Sequence, residues 1–193
     1  LYKLQCYLVI TLQFFYTYGQ NEVSQGPYEQ LILRGITLIN GNGAPPIGPV
    51  DIEIKKNIIT KVQVVGYPGV SKKRNGPKLE KNGVELDYTG MFVLPGFIDM
   101  HGHIGGVSQG ADPEYVFNLW MAHGITTIRE PSGRGLNFTL DLKRKSAKNS
   151  IIAPRIYSYT GFGSGAEINN KEDAIKWVRD NAKNGADGIK FFG

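Results

Sequence analysis

Apolar and polar positions alternate along much of the stretch from Glu29 to Asp87. Leu31 to Asn40 reads as a strand, broken by Gly41-Asn42-Gly43 and Pro45-Pro46. Ile52 and Ile54 then alternate with Asp51, Glu53 and Lys55, and Val62 and Val64 alternate with Lys61 and Gln63. Lys56-Asn57 joins these two runs as a tight hairpin. Alternation of this kind predicts strands that bury one face and wet the other, hence a small antiparallel sheet.

After Gly90 the pattern changes to strand, loop and helix in repetition. Phe92 to Asp99 is a continuous apolar run suited to a strand buried on both faces. Asp112-Pro113-Glu114 then offers a cap, a first-turn proline and an acid for the positive end of a helix that should stop at His123, before Gly124. Strands are predicted at Ile125–Arg129, Arg155–Tyr159 and Ile189–Phe192, with helices over Phe138–Lys148 and Lys171–Asn184, the latter capped by Asn170. Alternating elements with short joints predict parallel strands and right-handed crossovers, an α/β class. Four such units make the first half of a (β/α)₈ TIM barrel, here preceded by part of a small antiparallel β-sandwich. A whole barrel takes about 250 residues, and an end at Phe191-Phe192-Gly193 would leave a parallel apolar edge uncovered, so the sequence is read as a truncated, N-terminal fragment. A complete four-stranded α/β domain is the alternative.

Composition adds limits. The chain has 193 residues, 41% of them hydrophobic, which excludes disorder as the ground state. Its formal net charge of +5 owes much to Lys72, Lys73, Arg74 and Lys78, a Gly/Pro-bearing stretch that reads as a solvated loop. No aromatic-basic interleaving or reading helix supports a nucleic-acid partner. At the start, Lys3, the apolar run Cys6 to Phe15 and a small residue at Gly19 match a secretory signal over residues 1–20, implying export to a periplasmic or extracellular space. The apolar run is too short for a stable membrane span. Cleavage near Gly19 would remove Cys6, the one cysteine, and with it any disulfide. The expected organisation is therefore a signal at 1–20, sandwich at 21–90 and barrel strands at 91–193.

The chemistry-bearing residues gather at strand ends. His101 and His103 follow the Phe92–Asp99 run one residue apart, so both imidazoles, and Asp99 before them, would face the barrel interior together. Two neutral imidazoles at that spacing suit a borderline divalent ion such as Zn²⁺. Gly102, Gly105 and Gly106 keep the backbone slim around them, at what would be the catalytic rim of a barrel. Asp99 could accept from a histidine or serve a strand-end hydrogen bond, Glu130 ends the second strand, and Tyr159 lies nearer the rim than Tyr157 on one face of the third. His123 reads as a helix-end residue. Gly161-Phe162-Gly163-Ser164-Gly165 lacks the lysine and hydroxyl of a phosphate loop and reads as a rim loop.

Leu94-Pro95-Gly96-Phe97-Ile98-Asp99-Met100-His101-Gly102-His103 resembles the first-strand metal motif of the amidohydrolase superfamily, in particular its imidazolonepropionase-like and prolidase-like members. Ile36 to Pro46 with Val50-Asp51-Ile52 resembles the small β-sandwich before that group's barrel, and Gly124-Ile125-Thr126-Thr127-Ile128-Arg129 resembles its second strand. The resemblance implies that His101 and His103 bind one of two divalent metals, with Zn²⁺ expected. It implies that Lys190, in Gly185-Ala186-Asp187-Gly188-Ile189-Lys190, is carbamylated by CO₂ and bridges the metals; a carbamate is anionic where an ammonium would repel them. The family's remaining ligands, a histidine from each of two later strands and an aspartate general base, have no counterpart in this chain. No catalytic residue is therefore expected within it, and the fragment alone should be inactive. The reaction implied is metal-dependent hydrolysis of carbon–nitrogen bonds, non-peptide or dipeptide-type, in a small-molecule or dipeptide-like substrate. Homo-oligomer formation is left open. The competing reading is an exported, non-catalytic binding or assembly module with at most a structural metal.

Overall fold

The computed structural model describes residues 26–69, 75–105, 110–131 and 135–192. The expected signal segment, the basic residues Lys72, Lys73 and Arg74, and Gly106 lie outside the described residues. Two sheets result. The first contains β1 (Gln30–Leu38), β2 (Ile47–Lys55), β3 (Ile58–Val64), β4 (Gly83–Asp87) and β5 (Phe92–Val93). The second contains β6 (Phe97–Asp99), β7 (Ile125–Pro131), β8 (Arg155–Gly161) and β9 (Gly188–Lys190), with helices α1 (Pro113–Ala122), α2 (Leu136–Ala147) and α3 (Lys171–Lys183) between them.

The hairpin at Lys56-Asn57 forms as the alternation predicts, with Lys56 at φ 56° and β2 and β3 antiparallel. The purely antiparallel sheet does not. β4 and β5 both pair with β1 in parallel, so the sheet is mixed, in the order β3-β2-β1-β4 with β5 also against β1. The alternation carries no information about strand direction, because either direction buries the same face. The described residues of this region form one five-stranded sheet. Nor does every strand bury a face: Val50 and Ile52 are buried, whereas Ile58, Ile59, Val62 and Val64 of β3 are exposed.

Polar residues also enter this first core. The Arg34 guanidinium donates to Asp51 Oδ2 at 2.8 Å and to Glu85 Oε2 at 2.9 and 2.8 Å, while the amide of Gly35 donates to Asp51 Oδ1 at 2.9 Å. Arg34 and Asp51 are only 7% and 2% exposed. Burial works against the guanidinium charge, but the bonds to Asp51 and Glu85 together outweigh it and raise its pKa. Gly76 covers the pair so closely that a Cβ there would lie 2.1 Å from Asp51 Oδ2.

The expected Phe92–Asp99 strand is split. Phe92-Val93 completes the first sheet and Phe97–Asp99 starts the second, with Leu94-Pro95-Gly96 between them. Proline lacks the donor a central strand needs, so this run cannot stay in one ladder. From there the parallel sheet follows the predicted elements. Asp112 accepts from the amide of Glu114 at 2.8 Å at the start of α1, and Gly124 at φ 76° follows its end. Asn170 accepts from the amide of Asp173 at 2.8 Å at the start of α3.

The strands run β6-β7-β8-β9 in chain order, all parallel. A doubly wound sheet would reverse its order at a switch point; sequential order is the winding of a barrel. Residues paired across parallel strands share a face, which separates two surfaces. Ile128 and Ile156 lie on one, packed with Phe117 and Trp120 of α1 and Phe138 and Leu142 of α2. Thr127, Arg129, Arg155 and Tyr157 lie on the other, which is open: Tyr157 is 44% exposed. Among the described residues no helix is long and apolar enough to cross a membrane.

Candidate metal centre

β6 ends at Asp99, before the histidines. A register irregularity between Phe97 and Ile98 pairs Asp99 with Ile128, placing it on the helix-covered face rather than the open one. The shared strand face expected for Asp99, His101 and His103 is not what forms, because the strand ends at Asp99 and the chain leaves the ladder before either histidine. Asp99 Oδ1 accepts from the backbone amide of His101 at 2.8 Å, a turn-forming bond two residues along. The amide of Gly102 donates to the Arg129 carbonyl at 3.1 Å, laying the histidine loop across the end of β7.

The two imidazoles meet there edge-on, with centroids 5.1 Å apart and planes at 70°. His101 is exposed and His103 half-buried. His103 Nδ1 lies 3.2 Å from Glu130 Oε1, and the other oxygen of that carboxylate accepts from the amide of Ile104 at 2.7 Å. Asp99 thus holds backbone, whereas Glu130 touches the ring.

Lys190 ends β9, paired with Gly161 at the end of β8, and its carbonyl accepts from the amide of Phe162 at 2.8 Å. Its ammonium sits 5.1 Å from the centre of the Phe192 ring. The lysine and the histidines share the C-terminal edge of the sheet, three strands apart, which at ~4.8 Å per strand is roughly 14 Å if the sheet is flat. Tyr159 packs its ring over Gly188, where a Cβ would lie 2.3 Å from Cε1, and the Arg129 guanidinium carbon is 5.2 Å from the ring centre. His123 Nδ1 donates to the Leu119 carbonyl at 2.7 Å, closing α1.

The donor set fits a divalent metal in part. A histidine held by a carboxylate at Nδ1 presents Nε2, the arrangement common to imidazole ligands, and an adjacent second imidazole suits Zn²⁺-like ions. Among the described residues no three His, Cys, Asp or Glu side chains converge, so a closed coordination shell needs ligands from elsewhere. A cavity of about 860 Å³ lies at the opposite, N-terminal ends of the strands, lined by Tyr28, Lys56, Thr126, Lys143, Arg155 and Asp187. The chemistry of a parallel barrel belongs to the other end.

Arg129 is not among the residues that the motifs single out. Its Nε is buried without a hydrogen-bond partner among the described residues, on the open face beside Tyr159. Alternation through Thr127 would have put it there.

No family profile matches the chain. Over 105 residues it is 34% identical to an adenine deaminase of Ligilactobacillus salivarius (strain UCC118), an alignment covering 48% of this chain and 18% of that protein. Its fold matches a Xaa-Pro dipeptidase solved with bound methionine (TM-score 0.56, 23% identity, 84% of this chain and 46% of the other). It also matches molinate hydrolase (TM-score 0.62, 17% identity, 86% and 45%). The chain thus spans less than a fifth of the curated relative's length and less than half of the solved ones. These structural neighbours are amidohydrolase-superfamily proteins, and the chain has the fold of part of theirs, as its motifs imply.

Proposed function

We propose that this chain is the N-terminal part of a metal-dependent hydrolase of the amidohydrolase superfamily, acting on carbon–nitrogen bonds of a small-molecule or dipeptide-like substrate. One observation carries the reading: two histidines brought edge to edge at the C-terminal rim of a sequentially wound parallel sheet, one of them engaged at Nδ1 by a buried glutamate. The neighbours named above, a deaminase, a dipeptidase and a hydrolase, support the reaction class.

In this reading His101 and His103 would hold a divalent metal, Zn²⁺ being the best match to imidazole donors, and Lys190, carbamylated by CO₂, would supply an anionic ligand to the metal centre. When bound, such ions polarise a carbonyl and make water a competent nucleophile near neutral pH. The chain's own residues orient: Asp99 fixes the turn that presents His101, and the Gly102 amide anchors that turn on β7. Arg129 and Tyr159 line the open face on which a substrate would lie. The export signal over 1–20 and the division at residue 90 belong to the same proposal.

The reading frame beyond codon 193 tests it. The expected result is two further strand-end histidines and an aspartate; a frame encoding a barrel without them removes the enzyme reading. In the full-length product, metal analysis should show that His101→Ala and Lys190→Ala lower bound metal, with loss of amide hydrolysis.

A further inference from the structure

Glu130 is 2% exposed, yet it is a carboxylate, and a buried carboxylate must have its oxygens satisfied. It lies on the helix-covered face of β7, since it pairs with the buried Ser158. From beneath the histidine loop it reaches two donors in consecutive residues: the amide of Ile104 at 2.7 Å and Nδ1 of His103 at 3.2 Å. Ile104 is itself 2% exposed and packs with Phe117, Ile128 and Ile156. The backbone after His103 is thus bolted to the core by the same group that meets its ring. His101 is placed differently, through a bond from Asp99 to its backbone and an edge contact with His103.

We infer that Glu130 is a positioning residue that sets the tautomer of His103: by accepting from Nδ1–H it leaves Nε2 as the nitrogen presented at the rim. An ionised carboxylate only accepts hydrogen bonds, so the contact exists in this form with the hydrogen on Nδ1. A second acceptor bond to Ile104 prevents the carboxylate from turning away. The consequence for metal binding rests on the metal-centre reading above; the tautomer does not.

The test uses ¹⁵N-imidazole spectra of the metal-free full chain at pH 8, where an ordinary histidine, with a pKa near ~6.5, is neutral. His103 is expected to show a protonated Nδ1 and an unprotonated Nε2. Glu130→Gln keeps the volume but offers one acceptor oxygen. That oxygen serves the Ile104 amide, the carboxamide NH₂ then faces Nδ1, and the hydrogen moves to Nε2. Titration with Zn²⁺ should weaken by about tenfold or more, the usual effect of removing such a partner. A wild-type His103 carrying its hydrogen on Nε2 overturns the inference without any variant, as does a tautomer unmoved in a folded Glu130→Gln chain. The metal-centre reading fails on a separate result, Zn²⁺ binding unchanged by both His101→Ala and His103→Ala, which leaves the tautomer measurement standing.

Discussion

The two sheets treat charge in opposite ways. In the mixed sheet, Arg34 is enclosed by Asp51 and Glu85, and Gln30 by Glu53 and the backbone of Lys78 and Glu80. The buried side chains of Arg34, Asp51 and Gln30 thus have partners there, and Gln63 Oε1 is the buried side-chain atom of this sheet without one among the described residues. In the parallel sheet one face is closed by apolar helix contacts, and the other carries Arg129, Arg155, Tyr157, Tyr159 and Lys190, open and partly unpartnered. A satisfied network marks a region built to hold its shape; polar groups left open on a rigid scaffold mark one built to meet something else.

Breaking the satisfied side should have the largest effect. Asp51→Ala removes the buried carboxylate that holds the Arg34 guanidinium and the Gly35 amide, leaving Arg34 only Glu85, and is expected to cost about 3 kcal/mol, measured by urea denaturation. A loss under ~1 kcal/mol would show that Arg34 reaches water and would erase the contrast. On the covered face of the parallel sheet, Ile128→Val should cost about 0.5–1.5 kcal/mol in the same assay, by removing a methylene from a site with no exposure. On its open face, Tyr157→Ser should stay within ~0.5 kcal/mol, since its ring has little to lose. A cost as large as that of Ile128→Val would mean the open face is covered.

The smallest expected effect concerns acid. Thr60 donates to Glu53 Oε2 and Gln30 to Oε1, both at 2.7 Å, and these bonds, Thr60 first, hold the Glu53 carboxyl below its ordinary value of 4.5. A lowered folded-state pKa contributes stability above the unfolded value and loses it as pH falls through the folded one. Stability of the wild type should therefore decline slightly more steeply below about pH 4.5 than that of Glu53→Gln. Identical pH profiles would show that these bonds do not distinguish the charged form.

Much of the parallel sheet was legible in the sequence because its signals are local. Asp112, Gly124 and Asn170 mark helix ends through bonds and dihedrals within a few residues, and the Lys56-Asn57 turn does the same for the hairpin. The histidine pair and Lys190 were legible as strand-end residues, since apolar runs precede them. The amidohydrolase resemblance read from those runs holds at the level of the fold.

What only the tertiary structure decided depends on partners far along the chain. Nothing near Gly83 or Phe92 states that both strands align parallel to β1. Nothing near Arg34 states that it will meet Asp51 and Glu85. The register shift that sets Asp99 opposite Ile128 exists only once β6 and β7 pair, and Glu130 acquires its grip on His103 and Ile104 only when the loop folds back across β7. Periodicity records which residues of a strand share a face; whether that face is covered, and which groups then meet, is set by strand pairing and packing, a property of the whole sheet.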